Sequence, residues 1–179
     1  TIHPMNTNES QKSRFNRHNL RLGGDYLFAD DHQLSLTYNA QFMNGFNLST
    51  VNGTQTSNAR TRMVDQLHNG RIDYHTPFGM KAGVEYTYYH SPSSQLLHSR
   101  LEGDELNFRS SDSQRINRWK LFLSQEHELP NGWGVNYGAV YTTSLDNSYQ
   151  YYYNSENDNM MLESNNMKSR RREQTLNFY

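Results

Sequence analysis

The chain has 179 residues, 34% of them hydrophobic and 13% aromatic, with a mean hydropathy of −1.00 and a formal net charge of −1. That charge balance gives no electrostatic case for nucleic acid. The lack of cysteine rules out a disulfide framework or a thiolate metal site, and no apolar run approaches the ~18 residues of a membrane helix. A polar chain that still carries 13 Tyr and 8 Phe does not fit disorder, which is poor in aromatics.

Residues 1 to about 15 show no periodicity and read as a polar loop. From Asn16 to Phe28 the sequence alternates, with Leu20, Leu22, Gly24, Tyr26 and Phe28 against Asn19, Arg21, Gly23 and Asp25. After Ala29-Asp30-Asp31 a second run, His32 to Met43, sets Leu34, Leu36, Tyr38, Ala40 and Phe42 against Gln33, Ser35, Thr37, Asn39 and Gln41. Successive side chains of a strand point to opposite faces, so two such runs joined by an Asp-rich turn predict an antiparallel hairpin.

The segment from Asn44 to Ala59 reads as a long polar loop. A third strand covers about Arg60 to His75, with Gly70, Ile72 and Tyr74 against Asn69, Arg71 and Asp73, while Met63 and Leu67 fall on the wrong face. A short turn, Thr76-Pro77-Phe78-Gly79, leads into a fourth strand with Met80, Ala82, Val84, Tyr86 and Tyr88 against Lys81, Gly83, Glu85 and Thr87. Another polar loop runs from Ser91 to about Ser113.

The fifth strand carries Trp119, Leu121 and Leu123 against Arg118, Lys120, Ser124 and Glu126, with Phe122 a local exception on the polar side. Pro130-Asn131-Gly132 has the residues tight turns demand. The sixth strand sets Trp133, Val135, Tyr137, Ala139 and Tyr141 against Gly134, Asn136, Gly138, Val140 and Thr142. A third long loop, about Ser144 to Lys168, precedes a seventh run with Leu176 and Phe178 against Glu173, Thr175 and Asn177.

These elements predict an all-β fold: an antiparallel up-and-down meander of about seven long strands, part of a transmembrane β-barrel. Connections alternate short and long, as periplasmic turns and extracellular loops do. The strands, about 11–13 residues, match the ~9–11 needed to cross a bilayer at a tilt rather than the ~5–6 of a globular strand. Aromatics fall at two levels: Tyr26, Phe28, Phe78 and Trp133 beside the short turns, and Tyr38, Phe42, Tyr86, Tyr88, Tyr137 and Tyr141 toward the loops. With Trp119 on the same face, these are the lipid-facing and girdle candidates. From Trp133 to Tyr141 is ~26 Å along a strand and ~19 Å vertically at ~45° of tilt, near the ~25 Å apolar band of such barrels.

The polar face supplies the lumen-facing candidates Arg21, Asp25, Arg71, Asp73, Lys81, Glu85, Arg118, Lys120 and Glu126. In a closed barrel these charges line a wet wall, pair across strands or contact a plug. If the short turns are periplasmic, the first strand runs inward, so an earlier outward strand is expected outside this sequence. An odd number of strands agrees with residues 1–179 being one segment of a larger barrel.

The run Arg17-His18-Asn19-Leu20-Arg21-Leu22-Gly23-Gly24-Asp25-Tyr26, followed by Asp31-His32-Gln33-Leu34-Ser35-Leu36-Thr37-Tyr38, resembles barrel hairpins of TonB-dependent outer-membrane receptors of the Bacteroidetes type. Asp73-Tyr74-His75-Thr76-Pro77-Phe78-Gly79 and Leu129-Pro130-Asn131-Gly132-Trp133 are similar to their periplasmic turns, and the resemblance spans residues 15–179. It implies a bacterial outer-membrane protein with a barrel of about 22 strands and a plugged lumen. The implied partners are outer-membrane lipid, a small nutrient ligand, and an inner-membrane energy-coupling complex acting through a plug domain that this sequence lacks.

Bond chemistry finds little support. His3, His18, His32, His68, His75, His90, His98 and His127 are scattered without ligand spacing, so neither metal nor cofactor is expected. The acidic run Asn154 to Asn159 lacks the ordered spacing of an EF-hand. No GxSxG elbow is present, and Ser91, Ser93 and Ser94 beside His90 read as loop residues. No catalytic residues are expected, and the chain reads as a non-enzyme.

Ser169-Arg170-Arg171-Arg172 could bind phosphate or lipopolysaccharide at the upper rim, or simply alternate between lumen and interface. Two rival readings are a complete small outer-membrane barrel with a structural or adhesion role, and a soluble β-sheet binding module whose apolar face packs on a partner.

Overall fold

A computed structural model describes residues 7–28, 31–101, 104–130, 132–154 and 166–179. They form one sheet of seven strands in sequence order: β1 Thr7–Phe28, β2 His32–Gly53, β3 Gln55–His75, β4 Met80–Leu101, β5 Asp104–Glu128, β6 Gly134–Asn154 and β7 Met167–Phe178. Every neighbouring pair is antiparallel. The all-β, up-and-down meander expected from alternation is therefore the fold. Among the described residues β1 and β7 do not pair, so the sheet is open.

The polar segments expected as loops are strands. Asn44–Gly53 and Gln55–Ala59 continue β2 and β3, leaving Thr54 between them; Ser91–Leu101 and Asp104–Ser113 continue β4 and β5; Ser144–Asn154 continues β6. Residues 7–15, also expected as loop, pair with Gly45–Gly53 as the far half of β1. The first six strands thus run 21 to 25 residues rather than 11–13. Alternation was hard to read there because polar residues dominate and the few apolar ones fall on both faces, Phe46, Leu48 and Leu96 on one and Val51 and Leu97 on the other. Residues 1–6, Asn131 and most of the acidic run (155–159) lie outside the described residues.

Cross-strand side-chain bonds accompany the ladder in these extensions. Ser13 Oγ donates to Asn47 (3.1 Å), Ser49 Oγ to Glu9 (3.3 Å), Gln55 to Ser99 (3.1 Å) and Ser93 Oγ to Asp112 (2.6 Å). The β3–β4 register skips the positions opposite Pro92, since proline has no N–H to give a ladder. Ser91 Oγ donates to Asp65 at 2.5 Å there and bridges the gap.

The short turns are tightly built. Thr76 N donates to Met80 O (2.9 Å) and Gly79 N to Thr76 O (3.2 Å); Leu129 N donates to Trp133 O (2.7 Å) and Gly132 N to Leu129 O (3.0 Å). Asp31 takes a left-handed φ of 61° in the first turn, a conformation Asp tolerates better than most residues. The near ends also step down along the sheet. β3 ends beside the start of β2, whereas β5 runs on from Gln125, the partner of Met80, to Glu128. A stagger of this sense is what tilted barrel strands require.

A conventional core is missing: the buried apolar residue of the described chain is Ala40, at 4% exposure. Leucine, tyrosine and tryptophan side chains of one face stand open instead, among them Leu22 at 58%, Trp119 at 48% and Tyr137 at 49%.

Gly79 and Gly132 provide a stability test. Both have positive φ, +84° and +77°, but a Cβ on Gly79 would lie 2.5 Å from the Glu126 carbonyl oxygen, while one on Gly132 meets nothing within 4 Å. Gly79→Ala should therefore destabilise the fold by about 1 kcal/mol or more beyond the ~1–2 kcal/mol left-handed penalty both positions share. Denaturant midpoints of the two variants measure this, and equal losses would show that the contact with Glu126 relaxes freely.

Candidate functional site

Register assigns every side chain to one of two faces. Leu22 pairs with Tyr38, Leu36 with Ile72, Ile72 with Val84, Val84 with Leu121, Leu121 with Tyr141 and Tyr141 with Leu176. Directly opposite residues share a face, so this chain of pairs is one continuous apolar band. Tyr26, Phe28, Tyr38, Phe42, Tyr86, Tyr88, Trp119, Tyr137 and Tyr141 all fall on it, with Trp133 just before β6.

Histidines that looked scattered in the sequence are part of this face. Phe28, His32 and Tyr74 stack in a cluster by the first turn, with centroids 5.5 to 6.2 Å apart, and the Tyr74 hydroxyl lies 2.8 Å from His32 Nδ1. Higher up, His68 sits among Tyr38, Phe42 and Tyr88, and its Nδ1 is 2.7 Å from the Tyr38 hydroxyl. The Tyr86 and Trp119 rings are 4.5 Å apart, and the Tyr86 hydroxyl donates to Asn117 at 2.8 Å. Aromatic rings with satisfied polar tips suit a boundary between apolar and wet surroundings. Only pairing in space reveals the histidines' role, because His32 lies 42 positions from Tyr74 and His68 lies 30 from Tyr38.

The opposite face gathers the charged candidates. Arg21, Asp25, Arg71, Asp73, Lys81, Glu85, Arg118, Lys120 and Glu126 all stand on it. Arg71 pairs across the ladder with Glu85, and Glu85 with Lys120, giving a row of alternating sign. Arg71 also donates to both Asp73 oxygens, at 2.7 and 2.8 Å. Asn69 donates to Glu85 (3.0 Å) and Thr87 (2.9 Å), and Lys81 reaches Glu126 at 3.7 Å. Arg21 and Asp25 form no such pair among the described residues. A polar groove of about 450 Å³ opens beside this network, lined by Arg118, Lys120, Thr142, Ser144, Glu173 and Thr175 among others.

Apolar residues on the polar face have local reasons. Phe122 is the direct partner of Gly83, its ring fills the space a Gly83 Cβ would need, and the Arg71 guanidinium lies 5.0 Å above it. Leu67, Tyr89 and Ile116 are consecutive cross-strand partners and make a small apolar island. Farther out on this face, Ser93 donates to Asp112 and Gln114 to Asp146 (3.0 Å), while Asp146 Oδ1 is buried without a partner. A second groove of about 580 Å³ there is lined by Ser91, Ser110, Asp112, Gln114, Gln150 and Tyr152 among others. The wall offers hydrogen bonds and charge of both signs. Among the described residues no three His, Asp or Glu side chains cluster to hold a metal.

No family model matches the sequence, and no curated protein matches it. The fold is similar to that of the ferric yersiniabactin uptake receptor FyuA from Yersinia pestis, with a TM-score of 0.57 and 10% sequence identity over 93% of this chain and 25% of that one. The chain therefore spans about a quarter of that receptor's length. At this identity the likeness is one of fold: consecutive, long, antiparallel strands of the barrel kind.

The alternating row can be tested by charge reversal. Glu85→Lys sets like charges beside Arg71 and Lys120 and should cost about 1 kcal/mol in low salt. Roughly 0.5 M NaCl should recover most of that loss. A loss independent of salt would mean the row acts through shape rather than charge.

Proposed function

We propose that this chain is a segment of an outer-membrane β-barrel of the TonB-dependent receptor kind, non-catalytic, that serves uptake of a small nutrient across the bacterial outer membrane. The observation that carries the reading is the bare apolar band, a continuous face of leucine, valine and ringed residues on which no layer of the described residues packs. In water such a face would expose far more contiguous apolar surface than a soluble monomer tolerates. In a bilayer it is the lipid-facing surface, with the aromatic and histidine clusters at its two margins.

The opposite wall then faces a wet lumen. Its charged network and grooves would contact solute or a plug domain, and an inner-membrane energy-coupling complex would act through that plug. Uptake as a role also draws on the fold likeness to the ferric yersiniabactin uptake receptor, which is fold-level analogy. The open edges fit a segment of a larger barrel. An unpaired backbone group in hydrocarbon costs several kcal/mol, so β1 and β7 would both need partner strands there. The extended hairpins, rather than loops, would then project outside the cell and meet the ligand first.

Two measurements test the reading. Leu36→Arg or Tyr137→Arg should cost about 2–4 kcal/mol at membrane depth and block assembly, whereas Thr37→Arg and Asn136→Arg should be tolerated. Assembly is read from heat-modifiable mobility, and equal tolerance of the two faces would remove the membrane reading. Because the sequence has no cysteine, orientation can be read by single-cysteine labelling. On intact cells an impermeant maleimide should label Thr54→Cys and spare Phe78→Cys, and the reverse pattern would invert the proposed topology.

A further inference from the structure

The extensions show a separation of charge between faces that alternation in the sequence does not announce. Beyond the aromatic margin, the face continuous with the apolar band carries Lys12 and Arg14 on β1 and Arg60 and Arg62 on β3. Arg109 on β5 and Lys168 on β7 join them, and Arg115, Arg170 and Arg172 on the same face stand level with Phe42 and Tyr88 of the margin itself. The carboxylates Glu9, Asp65, Asp112, Asp146 and Glu173 stand on the other face, mixed there with Arg17 and Arg171, while Glu105 is the exception on the basic face. On the basic face only Arg100 has a carboxylate partner among the described residues, Glu105 at 4.0 Å. Of the three consecutive arginines singled out in the sequence, register thus sends Arg170 and Arg172 outward and Arg171 inward.

Five of these cations, Lys12, Arg14, Arg60, Arg62 and Arg109, occupy two neighbouring cross-strand rows. Arg14 and Arg62 flank Phe46 in one cross-strand row, four positions beyond Phe42 of the aromatic margin. Four residues span ~13 Å of strand, or ~9 Å vertically at ~45° of tilt, the depth of a head-group layer above hydrocarbon. The next row reads Lys12, Leu48, Arg60, Leu96, Arg109, Tyr153, cation alternating with apolar group. The Arg109 guanidinium lies 5.6 Å over the Tyr153 ring. A groove of about 320 Å³ brings Arg14, Arg60 and Arg62 together around Phe46, with Asn16 and Asn44 at its margin.

We propose that this belt docks the phosphorylated head groups of outer-leaflet glycolipid, with Arg14, Arg60 and Arg62 holding a phosphate. Guanidinium groups match phosphate geometry bidentately, the intervening Phe46 and Leu48 meet the apolar margin of the lipid, and the asparagines take sugar hydroxyls. The inference rests on the outer-membrane reading, because only there does this face meet lipid. Glycolipid fits better than a soluble anion because the cations continue the lipid-facing surface instead of lining the lumen grooves.

The test uses the full-length protein, extracted in dodecyl maltoside, delipidated, and titrated with bis-phosphorylated lipid A in mixed micelles. Dephosphorylated lipid A and soluble glucosamine 1-phosphate serve as comparisons. The triple variant Arg14→Gln/Arg60→Gln/Arg62→Gln should bind bis-phosphorylated lipid A at least ~10-fold more weakly. The opposite-face variant Arg17→Gln/Arg171→Gln should keep wild-type affinity, and dephosphorylated lipid A should bind wild type as weakly as the triple variant binds the phosphorylated form.

Unchanged affinity in the triple variant overturns the proposal, as does full competition by glucosamine 1-phosphate, which would make the belt a site for soluble phosphate. Each variant is first checked for heat-modifiable mobility. If the triple variant does not assemble, the double variant Arg14→Gln/Arg62→Gln carries the comparison, and its failure to weaken binding overturns the proposal equally. A wild-type protein that inserts in membranes but ignores the phosphates refutes this inference alone, whereas one that never inserts refutes the membrane reading with it.

Discussion

The structure depends on the backbone ladder between sequence neighbours. Among the described residues each strand pairs only with its sequence neighbours, so the backbone N–H and C=O groups of β2 to β6 find partners mainly in the ladders on either side rather than in side chains. That independence lets one polypeptide present opposite chemistry on its two faces. It also lets the ladder pass unchanged from an apolar band into polar extensions, where a helix or a packed core would have had to stop. The exception shows the rule: at Pro92, where a donor is missing, the β3–β4 register is interrupted and the Ser91–Asp65 bond bridges the gap.

How much of this was legible follows from the same independence. Where one face is apolar, alternation marks the strand, and β1 to β6 between the short turns and about Phe42, Tyr88 and Tyr141 could be read directly. Where polar residues dominate and the few apolar ones fall on both faces the ladder leaves little mark in composition, so Asn44 to Gly53 and Ser91 to Leu101 looked like loop although they pair residue for residue. Asymmetry of the hairpins about the apolar band survives, but it resides in strand length rather than in loop length.

Face assignment was legible for the same reason, and the contents of each face were less so. Arg71, Glu85 and Lys120 could be placed together on the polar side, but their order as direct partners needs the register between three strands. Phe122 looked like an error of pattern. Opposite Gly83 it covers a position with no side chain of its own and supports Arg71, so a local break of the alternation serves the packing of that face. His68 was unreadable alone, since its three ring neighbours come from β2 and β4.

Charge in the extensions carries this reasoning furthest. If both faces of the hairpins simply met water, nothing would favour nearly clearing one face of carboxylates, and mixed signs would give better cross-strand pairing there, as Arg171 has opposite Asp146 on the other face. Arg14 and Arg62 instead flank Phe46 with no carboxylate opposite them, while Asp65 and Asp112 on the other face accept bonds from serines. Such sorting forgoes ion pairs worth at most about 1 kcal/mol each at an exposed surface, a small loss that a common anionic partner along one face readily exceeds. If the basic face meets such a partner, two unlike environments continue to bear on the two faces beyond the apolar band, one supplying negative charge and the other polar contact.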